Sequence, residues 1–167
     1  FGSAFGIHLD AKKVPGVDVS TGSLGHGLPM AVGLALGARH QRQAWRTYCV
    51  VGDGECNEGS IWEAAMAAAH FKLGNLTVFV DRNRLMTDGD TEAVMALEPF
   101  PDKWRAFGWV VHDVDGHCLA SLAQAVAAAQ RQPGRPTVII ANTKKGRGID
   151  FMENDVRWHY GAIDSKL

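Results

Sequence analysis

Apolar residues recur in short blocks: "RTYCVV" (46–51), "LTVFVD" (76–81), "WVVHDV" near 109–114 and "PTVIIANT" (136–143). Each is the length of a strand, is rich in β-branched side chains and lacks strict alternation, as expected of strands buried on both faces. The blocks alternate with helical patterns. "SLGHGLPMAVGLALGARH" becomes almost continuously apolar from Ser23 and predicts a helix to about His40, with Pro29 in its first turn. Gly33 and Gly37 within it each cost about 1 kcal/mol relative to Ala, which predicts close packing against another helix or a cofactor. "SIWEAAMAAAHFKLG" predicts about four helical turns stopped by Gly74, and "LASLAQAVAAAQRQ" a helix ended by Pro133 and Gly134. Short apolar strands alternating with such helices define an α/β fold, a mostly parallel sheet with helices on both faces.

Two regions break the pattern. Residues 1–22 carry Gly2, Gly6, Pro15, Gly16 and Gly22 without periodicity and read as an irregular lead-in suited to lining a ligand. Residues 82–108 read as an extended loop with a short helix around "WRAF", since Pro99 and Pro101 argue against a strand.

Composition narrows the function. The 167 residues suit a single domain, and the opening at Phe1 without Met leads us to expect one incomplete at its N-terminus. With 17 basic against 18 acidic residues, the net charge of −1 gives no electrostatic case for nucleic acid or an anionic membrane. No signal peptide or apolar span is evident, so a soluble, cytoplasmic chain is expected. Cys49, Cys56 and Cys118 are too scattered for a disulfide framework or a zinc site and read as reduced thiols.

The chemistry gathers at the predicted strand ends, where α/β sheets place their ligands. The first strand runs into "GDGECNEG" (52–59) and the second into "DRNRLMTDG" (81–89). Both loops should therefore face one crevice. Asp53 and Asn83 supply hard oxygens of the kind octahedral Mg²⁺ accepts, with phosphate oxygens and water to complete its shell. Gly52 and Gly54 permit close approach of an anion, and a helix starting near Gly59 would point its free N–H groups at it. A bare diphosphate beside Asp53 would be repelled by about 4 kcal/mol per charge pair at about 4 Å and a dielectric of about 20, so a metal-bridged diphosphate fits better. An isolated GDG is more often only a turn; two acid and amide loops after two parallel strands make the difference. No G-x-G-x-x-G joins the first strand to its helix, which argues against a dinucleotide site.

The run "GDGECNEGSIWEAAMAAAHFKLGNLTVFVDRNRLMTDG" (52–89) resembles the thiamine diphosphate motif of the transketolase family. "PGVDVSTGSLGHGLPMAVGLALG" (15–37) and "TKKGRGIDFME" (143–153) are similar to its flanking segments. The resemblance implies that Asp53 and Asn83 are Mg²⁺ ligands with the Leu85 carbonyl, that Gly54 and Glu55 lie at the diphosphate, and that Gly22 and Leu24 border the thiazolium and aminopyrimidine. It implies catalytic roles for His8, His26 and His159, and for Glu58 that of a buried acid linking paired active sites. His8 stands before Leu and Asp where the family usually has Pro and Glu. His40, His70, His112 and His117 have no comparable role, the first two falling late in helices where a cation is favourable. The tryptophans read as packing residues, and no cysteine has a partner to activate it.

The implied reaction transfers a two-carbon ketol unit from a ketose phosphate to an aldose phosphate. The family places the glutamate that activates the aminopyrimidine on a pyrimidine-binding domain, which nothing in this sequence matches. The resemblance thus implies one subunit of a split enzyme, with the pyrimidine-binding subunit on another chain. A decarboxylating 1-deoxyxylulose-5-phosphate synthase-like reaction and a non-catalytic cofactor-binding module are the alternatives; "NEG" and "TDG" weigh against the first. From sequence alone, Asp53→Ala should abolish Mg²⁺-dependent cofactor binding and leave the fold nearly unchanged.

Overall fold

The computed structural model describes residues 3–6 and 8–161, so Gly2 of the lead-in lies outside the described residues. In chain order the elements are α1 (Gly27–His40), β1 (Thr47–Gly52), a 3₁₀ turn (Gly54–Asn57), α2 (Gly59–His70), β2 (Leu76–Arg82), β3 (Leu85–Met86), β4 (Gly89–Asp90), α3 (Thr91–Val94), α4 (Phe100–Ala106), β5 (Val110–Asp115), α5 (Leu119–Gln130), β6 (Thr137–Asn142) and a second 3₁₀ turn (Val156–His159). The apolar blocks become a four-stranded sheet in the order β1-β2-β6-β5, parallel throughout.

Register divides the side chains between two faces. Cys49, Val78, Val138 and Val111 are aligned across one of them, as are Val51, Val80 and Ile140. This face packs against Leu28, Val32 and Ala35 of α1 and Ile61, Ala64, Ala65 and Ala68 of α2. Trp104 of α4 is fully buried between Trp62 and Trp109, with ring centroids 5.1 and 5.0 Å away. Trp109 also donates from its indole N–H to the Ala65 carbonyl at 2.9 Å, which fixes α2 against the start of β5. On the second face Ala125 and Ala129 of α5 are buried near β5 and β6. Tyr48 and Val50 of β1 remain 45% and 73% exposed, so helices cover this face unevenly. Ile139, on the covered part of that face, is fully buried. Ile139→Val is expected to cost about 0.5–1.5 kcal/mol, read as a lower urea midpoint with an unchanged slope.

Three local expectations are corrected. The helix predicted to run to Gly74 ends at His70, and Lys72 takes φ 54°. Gly74 is required instead by a close crossing, since a Cβ there would lie 2.5 Å from the Gly134 nitrogen. At Gly33 and Gly37 an added Cβ would meet nothing within 4 Å, so neither packs closely among the described residues. Finally, the stretch read as loop contains the β3–β4 hairpin, paired Leu85 with Asp90 and Met86 with Gly89. Its "TDG" is a turn signal that the prolines further on overshadowed.

Candidate active site

Asp53 lies at the carboxyl end of β1, 1% exposed. It caps the 3₁₀ turn, its Oδ1 accepting from the Gly54 N–H at 2.8 Å. The helix expected to begin near the motif does start at Gly59, but this turn intervenes, so the amides beside Asp53 belong to the turn. The turn is fixed on its inner side by the Trp62 indole, which donates to the Cys56 carbonyl at 2.8 Å.

The second loop is bonded directly to the first. The Asp53 N–H donates to the Asp81 carbonyl at 3.2 Å, and the Arg84 N–H donates to Asp53 Oδ2 at 2.6 Å. Asp81 accepts from the Asn83 amide nitrogen at 3.2 Å and from the Thr143 hydroxyl, which orients the Asn83 side chain. Asn83 Oδ1 in turn accepts from the Leu85 N–H at 3.0 Å. Asp53 Oδ1 and Asn83 Oδ1 each accept one such bond, which leaves each a lone pair of the hard-oxygen type that Mg²⁺ takes. The donor set therefore fits a divalent cation. Met86 presses on Gly54 from the hairpin, and a Cβ at Gly54 would lie 3.0 Å from the Met86 Cβ.

Beneath this junction is an ion cluster that the sequence did not reveal. The Arg82 side chain, 2% exposed, donates from Nη1 to Asp53 Oδ2 at 3.1 Å and to the Thr91 hydroxyl at 2.8 Å. Its Nη2 donates to Glu92 at 2.8 Å and Glu98 at 2.9 Å, and the guanidinium stacks over Phe100. Partial burial would raise the Glu92 carboxyl, but hydrogen bonds from Arg82 and from the backbone N–H groups of Glu98 and Leu97 hold it down at about 2. A carboxylate depressed in the folded state contributes stability above its unfolded pKa, and that contribution is lost as pH falls toward the folded value. Thermal scans should therefore show stability falling between about pH 4.5 and 2, and Glu92→Gln should flatten that part of the profile.

A third segment closes the site from the α1 side. Glu55 spends both carboxylate oxygens on backbone, accepting from Gly25 N–H at 2.9 Å and Gly52 N–H at 3.1 Å. The Ser60 hydroxyl donates to the Gly25 carbonyl at 2.8 Å. Gly25 is thus held at both ends, and its φ of +78° favours glycine. Leu24 and Gly22, next to this clamp, line a cleft of about 940 Å³ together with His8, Met30, Tyr48 and Glu55. The His8 ring lies over Gly22, where an added Cβ would come within 3.0 Å of it.

The structure thus joins Asp53, Gly54, Asn83 and Leu85 in one cluster, and Gly22, Leu24, Glu55 and His8 around the neighbouring cleft. His26 is exposed at the start of α1, with Nδ1 3.1 Å from the Leu24 carbonyl. His159 is exposed on the second 3₁₀ turn, which packs near β3. Glu58 is exposed on this chain, in contrast to the buried acid the resemblance implies. Burial, with Glu55 nearby, raises the Cys49 thiol to about 12 and drives Cys56 well up, so neither is a nucleophile at neutral pH.

A parallel α/β sheet with acid and amide turns joined at its carboxyl edge describes the class of metal-diphosphate cofactor domains. The chain matches the family described as transketolase, thiamine diphosphate binding domain, over residues 1–166, and belongs to it. It is 43% identical, over 97% of its length, to an apulose-4-phosphate transketolase subunit of Phocaeicola vulgatus. It is likewise 43% identical, over 99% of its length, to the 6-deoxy-6-sulfo-D-fructose transketolase subunit SqwG of Clostridium sp. (strain MSTE9). The chain spans 57% and 60% of the lengths of these two relatives. The crystal structure of transketolase from Campylobacter jejuni superposes with a TM-score of 0.82 at 30% identity, covering 86% of this chain and 24% of that one. Among the described residues no helix is long and apolar enough to cross a membrane.

Proposed function

We propose that the protein is the diphosphate-binding subunit of a split transketolase, transferring a two-carbon ketol unit from a ketose to an aldose. The observation that carries this reading is the bond from the Arg84 N–H to Asp53 Oδ2, which makes one site of the two strand-end loops. Family membership and relatives named as transketolase subunits support it. Asp53 and Asn83, with the Leu85 carbonyl, would hold Mg²⁺, and the Gly52–Gly54 backbone would leave room for the diphosphate. Thiamine diphosphate, when bound, supplies the electron sink for carbon–carbon cleavage beside a ketose carbonyl. Glu55 acts one step back, holding the Gly22–Gly25 wall in place. His8, at the cleft, orients a substrate hydroxyl and moves its proton; His26 and His159 approach from α1 and the C-terminal turn. Glu58, exposed here, becomes buried against the pyrimidine-binding subunit. The relatives are named for a sugar phosphate and a sulfosugar. The substrate proposed here is accordingly a ketose with an anionic terminal group.

The test is reconstitution. The full-length protein and its pyrimidine-binding partner are assayed separately and together for aldose release from a ketose phosphate. Turnover that needs both chains, thiamine diphosphate and Mg²⁺ is expected. Turnover by this chain alone, or none by the cofactor-loaded pair with any anionic ketose tried, overturns the proposal.

A further inference from the structure

Arg82 donates to the same carboxylate that, on the reading above, also binds the divalent cation. Asp53 Oδ2 takes Arg82 and the Arg84 N–H, while Oδ1 takes only the Gly54 N–H. The guanidinium therefore lies on one side of the carboxylate and leaves the other oxygen for a second positive charge. Both side chains are 2% exposed, so water neither solvates Asp53 nor screens the pair. A buried carboxylate stripped of its counter-charge is strongly destabilising. A domain whose Asp53 had only a dissociable metal for company would fold poorly without it, as small metal domains do.

We propose that Arg82 is the resident counter-ion of Asp53, which keeps the cation loop folded before any metal binds and holds the affinity for that metal down. The rest of the cluster is built for this role. Glu92 and Glu98 bind Nη2 and Thr91 shares Nη1, so the guanidinium is anchored from the far side and remains in place when Asp53 takes a metal. Glu92 and Glu98 are fixed in turn by the N–H groups of Leu97 and Phe100 respectively, which ties the loop to the start of α4. The arrangement makes a specific trade: two positive charges share one carboxylate and repel each other, so cation affinity is lower than the oxygen donors alone would give. In exchange, the site is ordered in the free protein.

This inference rests on the assignment of Asp53 as a cation ligand, and the experiment separates the two. Mn²⁺ binding to the full-length protein in the presence of thiamine diphosphate is followed by the loss of the free-ion signal in electron paramagnetic resonance. The wild type is compared with Asp53→Asn, Arg82→Met and Arg82→Lys, and melting is recorded in EDTA and in Mn²⁺. Arg82→Met should bind Mn²⁺ about tenfold more tightly than wild type, about 1.4 kcal/mol. It should melt well below wild type in EDTA and recover a larger part of its stability from Mn²⁺. Arg82→Lys, which keeps the positive charge that repels the cation, should stay within about twofold of the wild-type affinity. Equal or weaker Mn²⁺ binding by Arg82→Met, or its failure to fold even in saturating Mn²⁺, overturns the counter-ion role. So does a tenfold gain in Arg82→Lys. If instead wild type and Asp53→Asn bind Mn²⁺ alike, the cation-site assignment itself falls, and the counter-ion role with it.

Discussion

Asp53→Ala is expected to remove cation-dependent binding of thiamine diphosphate and also to cost about 3–5 kcal/mol of stability. The second effect comes from the structure. Sequence alone predicts that the fold would be left nearly unchanged. Asp53 is instead 1% exposed and accepts from the Gly54 and Arg84 N–H groups and from Arg82. Truncation leaves two backbone donors without an acceptor and Arg82 without its inner partner. Glu92 and Glu98 remain bonded to Arg82, which places the cost near the lower end of that range. For a chain of this size about 3 kcal/mol is roughly a 10 °C drop in Tm. Calorimetric melting and isothermal titration with thiamine diphosphate and Mg²⁺ would read the two effects separately. A variant with wild-type Tm and no cofactor binding would show that the buried pair contributes nothing to the fold.

Gly25→Ala should be comparably damaging, for steric reasons. The added methyl would lie 2.4 Å from the Ser60 hydroxyl oxygen and 2.8 Å from the Glu58 Cβ. At φ +78° an L side chain adds about 1–2 kcal/mol of backbone strain. Moving Ser60 away would also break its hydrogen bond to the Gly25 carbonyl, worth about 1 kcal/mol. The expected total is about 2–3 kcal/mol in urea unfolding, together with weaker cofactor binding as the Gly22–Leu24 wall shifts. Gly33→Ala is the internal control. An added Cβ there meets nothing within 4 Å among the described residues, so the substitution should stabilise this chain by up to about 1 kcal/mol through helix propensity.

These two sites mark where the sequence was legible. The parallel strands could be read because each carries apolar residues on both faces, as in Val78, Phe79 and Val80 of β2. The meeting of the Asp53 and Asn83 loops could be read because the strand ends fix where those loops lie. Arg82 could not. In "VDRNR" it reads as one more solvated cation, and its acidic partners lie 10 and 16 residues on, in a stretch that reads as loop. The bonds of Glu55 were not legible either. Its carboxylate holds Gly25, 30 residues away in sequence, and that contact exists only once α1 has docked beside β1. The exposure of Glu58 at the end of the 3₁₀ turn was likewise not legible, because burial there depends on tertiary packing that the local sequence does not encode.

Native mass spectrometry of the full-length protein, purified from its source with Mg²⁺ and thiamine diphosphate present, tests most directly whether this chain is half of a divided active site. A complex with a second chain the size of a pyrimidine-binding domain, retaining the cofactor, is the expected result. This protein alone and free of cofactor, at concentrations where it is folded, would contradict the split-transketolase assignment.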